Sequence, residues 1–277
     1  MIISDLRGSI PRYLIAGSII LSGCAESKER TRVILASTTS TEDTGLFGEL
    51  IPAFENAYPE FKVFVVAVGT GQALEFGRRG DADVVLVHAP PAESAFVAEG
   101  HGTVRCQVMQ NDFVIVGPPD DPARLTERRS AAVALKRIAD AKALFVSRGD
   151  NSGTHQKELS LWRQTGLQPA GSWYLSAGQG MAETLQLVAE KKAYTLTDRA
   201  SYVTTRTQLP LRILVEGDSL LINQYSVIPV ASSVNQRGGE AFAEWITDSI
   251  AQSLIGRFGR DQYAAGLFHP NARGCKP

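Results

Sequence analysis

The sequence predicts an α/β protein of two lobes with a ligand cleft between them, and three observations predict it. Short β-branched runs alternate with amphipathic helical stretches from Val33 to the C-terminus, the grammar of helices packed on a mostly parallel sheet. One junction recurs: a strand empties through a Ser/Thr/Gly turn into a helix, at Thr38-Thr39-Ser40, at Thr70 between two glycines, and at Ser152-Gly153-Thr154. The chain also crosses twice, near Gly117, where Pro118-Pro119 follows, and near Leu221. These crossings divide the 277-residue chain into a discontinuous lobe (33–117 and 222–277) and a continuous one (118–221).

Val33 to Ala36 predicts the first strand. Leu46, Leu50, Phe54 and Tyr58, joined by Phe47 and Ile51, form a helical stripe that stops before Pro59. Between them, Ser40 followed by Asp43 fits a capping box. Lys62 to Val68 predicts the second strand, which Gly69-Thr70-Gly71 turns into a helix from Gln72 to Arg78; Asp83 to His88 and Asn111 to Gly117 predict two more strands. After a helix from Ser130 to Ala141, Leu144 to Ser147 predicts a strand that opens into Arg148-Gly-Asp-Asn-Ser-Gly-Thr-His155 and a helix through Leu159 and Trp162. Gly178-Gln179-Gly180 opens a helix with Met181, Leu185 and Val188 on one face, and Ala193 to Arg199 supplies a strand and another helix start. Asn223 to Val230 predicts the strand that returns to the first lobe, where helices around Phe242, Trp245 and Ile246 pack on it.

Ahead of these elements, Arg7 and Arg12 flank the start of an apolar run, Tyr13 to Gly23, only 11 residues long. A membrane-spanning helix needs roughly 20, and the run has the length and small residues of a cleaved signal peptide. It ends in Leu21-Ser22-Gly23-Cys24, which resembles the bacterial lipobox. Residues 1–24 are therefore expected to be a signal peptide with Cys24 as the lipidated residue, and 25–32 a polar tether. Cys106 and Cys275 are expected to be structural, and the sequence leaves open whether they pair.

Lys and Arg total 28 against 29 Asp and Glu, so no net field attracts nucleic acid or an acidic membrane surface, and any anion must be captured locally. The four histidines, His88, His101, His155 and His269, are scattered without an i, i+4 pair or a cysteine cluster, so neither a metal-cation site nor a cofactor is expected.

The recurring junction has a chemistry. A helix N-terminus leaves backbone N–H groups unpaired and carries partial positive charge, so it holds an anion without a basic side chain, and Ser and Thr add donors. Singly, such residues are most often caps or steric relief. Their recurrence at the carboxyl ends of strands, where open α/β sheets bind ligands, points to one tetrahedral anion held from both lobes.

Several segments resemble one family across nearly the whole mature chain: Ser-Thr-Thr-Ser-Thr-Glu-Asp-Thr-Gly-Leu (37–46), Val-Gly-Thr-Gly-Gln-Ala-Leu (68–74), Gly-Asp-Ala-Asp-Val (80–84), Asn-Asp-Phe-Val-Ile-Val-Gly-Pro (111–118), Ser-Arg-Gly-Asp-Asn-Ser-Gly-Thr-His (147–155) and Tyr-Thr-Leu-Thr-Asp-Arg (194–199). They look like the tungstate-binding proteins of TupA-type ABC transporters. The resemblance implies a type II periplasmic-binding fold with the oxyanion in the cleft, held by Thr38, Thr39 and Thr70 from one lobe and by Arg148, Ser152, Thr154 and Thr197 from the other. It further implies a lipid-anchored, extracytoplasmic monomer that closes on its ligand and delivers it to a membrane permease driven by a separate ATPase.

Molybdate, sulfate and phosphate are the alternative ligands. Phosphate at neutral pH keeps a proton and needs an acceptor, whereas a fully ionised oxyanion prefers donors only. A secreted hydrolase using Ser147, His155 and Asp150 is the remote alternative, since those residue types build a catalytic triad, though no Gly-x-Ser-x-Gly elbow is present. Arg148-Gly149-Asp150 also spells an adhesion tripeptide, in a strand-to-helix setting that suits a cleft better.

Overall fold

The computed structural model describes residues 29–126, 130–205, 209–263 and 266–275. The expected signal peptide, Cys24 and the first part of the tether lie outside the described residues.

β1 (Thr31–Thr38) is exposed at Thr31 and Arg32 and buried from Leu35 onward. β2 (Phe61–Val68) and β3 (Val84–Val87) flank it in parallel register, and all four residues of β3 are buried, as expected of a strand covered on both faces. Each strand runs into a helix: β1 into α1 (Thr39–Glu42) and then α2 (Leu46–Ala57), β2 into α3 (Thr70–Arg78), β3 into α4 (Pro90–Ala98). Leu46, Leu50 and Phe54 recur four residues apart and form the buried face of α2. Phe54 meets the edges of Phe242 and Trp245, at 5.2 and 5.5 Å between ring centres, which docks α2 on α9 (Gln236–Ile246). α10 (Ser249–Arg257) and the short α11 (Arg260–Tyr263) follow.

The two-lobed form rests on β4 (Cys106–Gly117), twelve residues long. From Cys106 to Asp112 it pairs antiparallel with β9 (Ile222–Pro229). From Phe113 to Gly117 its partners are β7 (Thr195–Asp198) and β8 (Arg212–Val215), which belong to the other lobe. The sheet order is β10 (His269–Pro270), β4, β9, β3, β1, β2, with β7 and β8 branching from β4. The expectation of a mostly parallel sheet needs correcting. Strand–helix alternation makes β1, β2 and β3 parallel, but β4 and β9 travel between the lobes in opposite directions, and every pair through them is antiparallel.

The second lobe adds α5 (Ala131–Asp140), β5 (Phe145–Ser147), α6 (Gly153–Gln164), β6 (Tyr174–Ser176), α7 (Met181–Lys191) and α8 (Arg199–Thr205). β5 and β6 form a parallel pair. Phe145, Trp162, Leu135 and Ile138 share one core cluster, and Met181, Leu185 and Val188 share a second with Val114 and Val116 of β4. The strand ends at Thr38, Val68 and Ser147 are therefore held by packed cores on both sides of the crossing.

Two local findings refine the sequence reading. Cys106 and Cys275 form a disulfide with their Cα atoms 5.3 Å apart, which ties the C-terminal tail to the start of β4. Ser40 and Asp43 do not build a capping box: α2 starts at Leu46, and the Ser40 hydroxyl contacts Thr38 and His88 instead. No helix among the described residues is long and apolar enough to cross a membrane.

Candidate functional site

The structure places Thr38 at the end of β1, Thr39 at the first position of α1 and Thr70 at the first position of α3. Arg148 directly follows β5, Ser152 is the N-cap of α6 with Thr154 in its first turn, and Thr197 lies in β7. All are buried except Thr39, which is half-buried.

Arg148 joins the two lobes. Only 2% of it is exposed, and its Nη2 donates to Thr39 Oγ1 at 2.8 Å. Nε donates to Asp150 Oδ2 at 2.9 Å and to the Gln179 carbonyl at 3.3 Å. Nη1 is buried without a hydrogen-bond partner, as are the hydroxyls of Thr70 and Thr154. Buried donors of this kind are rare, because desolvation without a bond costs roughly 1–3 kcal/mol for a neutral group and more for a charged one.

The turns that carry these donors abut. A Cβ on Gly69 would lie 3.4 Å from the Asp150 carbonyl, and one on Gly71 would lie 2.5 Å from Asn151 Nδ2. Gly153 backs onto His88, whose Cε1 would be 2.7 Å from an added Cβ. Glycine at 71 and 153 therefore permits the approach of the lobes, rather than relieving strain within either turn.

Hydroxyl bonding separates the predicted residues into two groups. Ser152 Oγ accepts from the His155 N–H at 3.2 Å, as an N-cap does, which leaves its own proton free. Thr39 Oγ1 likewise accepts from Arg148 and keeps its proton. Thr197 instead donates to the Asp198 carbonyl at 3.1 Å, and Thr38 Oγ1 is bonded to Thr41 Oγ1 at 2.8 Å and to Ser40 Oγ at 3.3 Å. The Asp150 carboxylate has both oxygens engaged, one by Arg148 and the other by the Ser152 N–H at 3.1 Å.

Beneath the loops lies a buried polar chain that the sequence reading missed. Ser40 Oγ contacts His88 Nε2 at 3.4 Å, and His88 Nδ1 contacts Asn223 Oδ1 at 3.0 Å. Asn223 Nδ2 donates to Asn111 Oδ1 at 2.8 Å, and Asn111 Nδ2 to Asp198 Oδ1 at 3.4 Å. Asn111 and Asn223 are register partners on β4 and β9, so the chain passes through the crossing strands themselves. His88 was read as a strand-end residue, and its partner is 135 positions away, beyond the reach of any local pattern.

Burial lowers the His88 imidazole to about 4, opposed by its bond to Asn223 and reinforced by the Arg148 charge, so the ring is neutral at physiological pH. Burial raises the Asp198 carboxyl, against Ser201, Arg148 and Asn111. Asp43 is also raised, first by burial and then by Glu183, with Arg148 acting against both.

The hydrolase geometry is not present. Asp150 serves Arg148 and Ser152 rather than His155, and His155 Nδ1 accepts from the Asn151 N–H at 3.0 Å. Burial of Arg148 likewise rules out an adhesive Arg-Gly-Asp tip. No group of three His, Cys, Asp or Glu side chains suited to a metal ion occurs among the described residues.

A model described as a PBP superfamily domain matches residues 25–249. Tungstate-binding protein TupA of Peptoclostridium acidaminophilum is 47% identical, over 92% of this chain and 94% of that protein. The crystal structure of the tungstate ABC transporter from Geobacter sulfurreducens superimposes with a TM-score of 0.75 at 44% identity, covering 82% of this chain and 98% of that one. Tungstate-binding protein TupA from Desulfovibrio alaskensis G20 gives 0.74 at 45% identity, covering 88% and 100%. Such relatives are named as binding proteins. With a two-lobed fold, unpartnered buried donors on both sides of the crossing and this similarity along most of its length, the chain belongs to the PBP superfamily and, within it, to the TupA family of binding proteins.

Proposed function

We propose that the protein is the substrate-binding component of an ABC importer and captures tungstate between its lobes. The observation that carries this reading is the set of buried donors without protein acceptors: Arg148 Nη1, Thr70 Oγ1 and Thr154 Oγ1. Thr39 and Ser152 add hydroxyl protons left free by the bonds those oxygens accept. Thr38 and Thr197, whose hydroxyls are bonded within the protein, frame the first and last loops. The α3 and α6 N-termini contribute backbone N–H groups and dipole.

Such a shell is dominated by donors: the Asp150 carboxylate is already occupied, and burial pushes Asp43 and Asp198, whose Oδ2 lacks a partner, toward the protonated form. It suits a fully ionised tetrahedral dianion, each charge-assisted bond being worth roughly 1.5–3 kcal/mol, and disfavours hydrogen phosphate, whose proton lacks a partner. Molybdate and sulfate fit the same chemistry. The names of the relatives favour tungstate among them. No cofactor takes part in this reading.

The lobes in this proposal are 33–117 with 222–277, and 118–221, and they pivot where Asn111 faces Asn223. Closure presents a changed surface to a membrane permease powered by a separate ATPase. The family places the protein outside the cytoplasm; cleavage after residue 23 and lipidation at Cys24 would anchor it there as a monomer, through a polar tether ending at Arg32. Calorimetric titration of the mature protein with tungstate, molybdate, sulfate and phosphate tests the reading. Tungstate should bind tightest and phosphate least; tighter binding of phosphate would overturn the donor-only account.

A further inference from the structure

We infer that His88 is a positioning residue, held as its Nδ1–H tautomer by the crossing strands, and that it fixes the direction in which the hydroxyls of the Thr38–Thr41 loop donate. The direction can be followed from one end of the buried chain. The Ser201 backbone N–H, which can only donate, gives Asp198 Oδ1 a bond at 3.0 Å, so this oxygen is an acceptor. Asn111 turns its amide nitrogen toward that oxygen and its carbonyl toward Asn223 Nδ2, which also donates to the Tyr225 hydroxyl at 3.1 Å. Asn223 Oδ1 is thereby aimed at His88 Nδ1, and an amide oxygen accepts only. The proton of the neutral ring sits on Nδ1, and Nε2 is an acceptor.

The consequence passes into the anion loop. Ser40 satisfies Nε2 with its own proton, so the bond between Thr38 and Ser40 has Thr38 as donor, and the bond between Thr38 and Thr41 has Thr41 as donor. Three of the four hydroxyls in the loop thus direct their protons inward. Thr39, whose oxygen accepts from Arg148, alone retains a proton for the anion. The ring is fixed in place by stacking on Tyr225, 4.7 Å between centres, and by Gly153 of the opposite lobe packing against it. One imidazole therefore touches the anion loop, the crossing strands and the start of α6.

The assignment of Thr39 as the donor rests on the anion-binding reading, whereas the tautomer does not. Long-range proton–nitrogen correlation spectra of the mature protein, with the His88 signals assigned by loss in His88→Gln, read the tautomer directly. Protonation at Nδ1 alone is expected near pH 7; a proton on Nε2, or a doubly protonated ring, would overturn the inference. Tungstate titrations then test the coupling. His88→Phe, which keeps a stacked ring but no acceptor, should weaken binding about tenfold. His88→Gln, with an oxygen near the position of Nε2, should recover most of that loss, and adding Ser40→Ala to His88→Phe should change binding less than twofold. Unchanged affinity in His88→Phe, or full additivity with Ser40→Ala, removes the positioning role. If neither Thr39→Val nor Arg148→Gln alters tungstate binding, the anion reading fails while the tautomer stands.

Discussion

Arg148 Nη2 and Thr39 Oγ1 meet across the cleft at 2.8 Å, 109 residues apart in sequence. Thr39 follows β1 and Arg148 follows β5, so the bond spans the two lobes. One planar group is thus divided three ways: Nη2 links the lobes, Nε holds its own loop through Asp150, and Nη1 is buried without a protein partner. Arg148→Gln removes the charge and the fork together. Tungstate affinity should fall by the roughly 2–5 kcal/mol typical of truncating a desolvated charged contact, as read by calorimetry. An affinity equal to that of the parent would show that the guanidinium lies outside the anion's shell.

Thr70→Val and Thr154→Val should separate binding from stability. Each hydroxyl is fully buried and lacks a protein partner, so an apolar group of the same shape removes an uncompensated polar atom. Thermal stability without ligand should hold or rise by up to about 1 kcal/mol, while tungstate binding weakens by roughly 1–3 kcal/mol. Two variants that lost stability and kept affinity would indicate that these hydroxyls serve the fold.

How much of this site was legible in the sequence depends on chain distance. Ser152 as N-cap and Thr70 at a strand–helix turn are local arrangements, and the residues beside them carry the pattern. The Arg148 fork was visible as a lone cation among hydroxyls, but not its division between Asp150, Gln179 and Thr39. The His88–Asn223 and Asn111–Asp198 contacts join residues 135 and 87 positions apart, and no periodicity encodes them. Ser40 misled for the same reason: its spacing to Asp43 is that of a cap, yet a distant imidazole takes its hydroxyl. Strand direction was the other gap. Alternation of apolar and polar residues gives a strand's faces and not its sense, so the expectation of a mostly parallel sheet did not include the antiparallel crossing pair β4–β9.

The disulfide between Cys106 and Cys275 closes a loop of 169 residues and should act on stability alone. Constraining so long a segment of the unfolded chain contributes roughly 2–5 kcal/mol. Both cysteines pack in the core cluster that also holds Phe268 and Trp245. The Cys106→Ala, Cys275→Ala double variant should therefore melt at a lower temperature and bind tungstate with parental affinity. A large loss of affinity in a folded sample would link the tail to the cleft.

His88 also makes a prediction about pH whose sign follows from its burial. Its folded value, about 4, lies below the ordinary 6.5, so the unfolded chain binds a proton more readily than the native one. The contribution to stability is full above pH 6.5, declines as pH falls, and is gone once the pH has passed through about 4; over that window it amounts to roughly 3 kcal/mol. Asp198 acts in the opposite sense. Burial raises its carboxyl, so the native state gains stability as protonation sets in on acidification, and these two residues of one buried chain partly cancel. Melting temperature measured from pH 7 to pH 4 should therefore fall less in the parent than His88 alone dictates. It should fall more in Asp198→Asn, which keeps an acceptor but does not titrate, and least in His88→Gln. Parallel curves for the parent and His88→Gln would mean that the imidazole takes up its proton in the folded protein without penalty, which its full burial against Asn223 and Tyr225 does not allow.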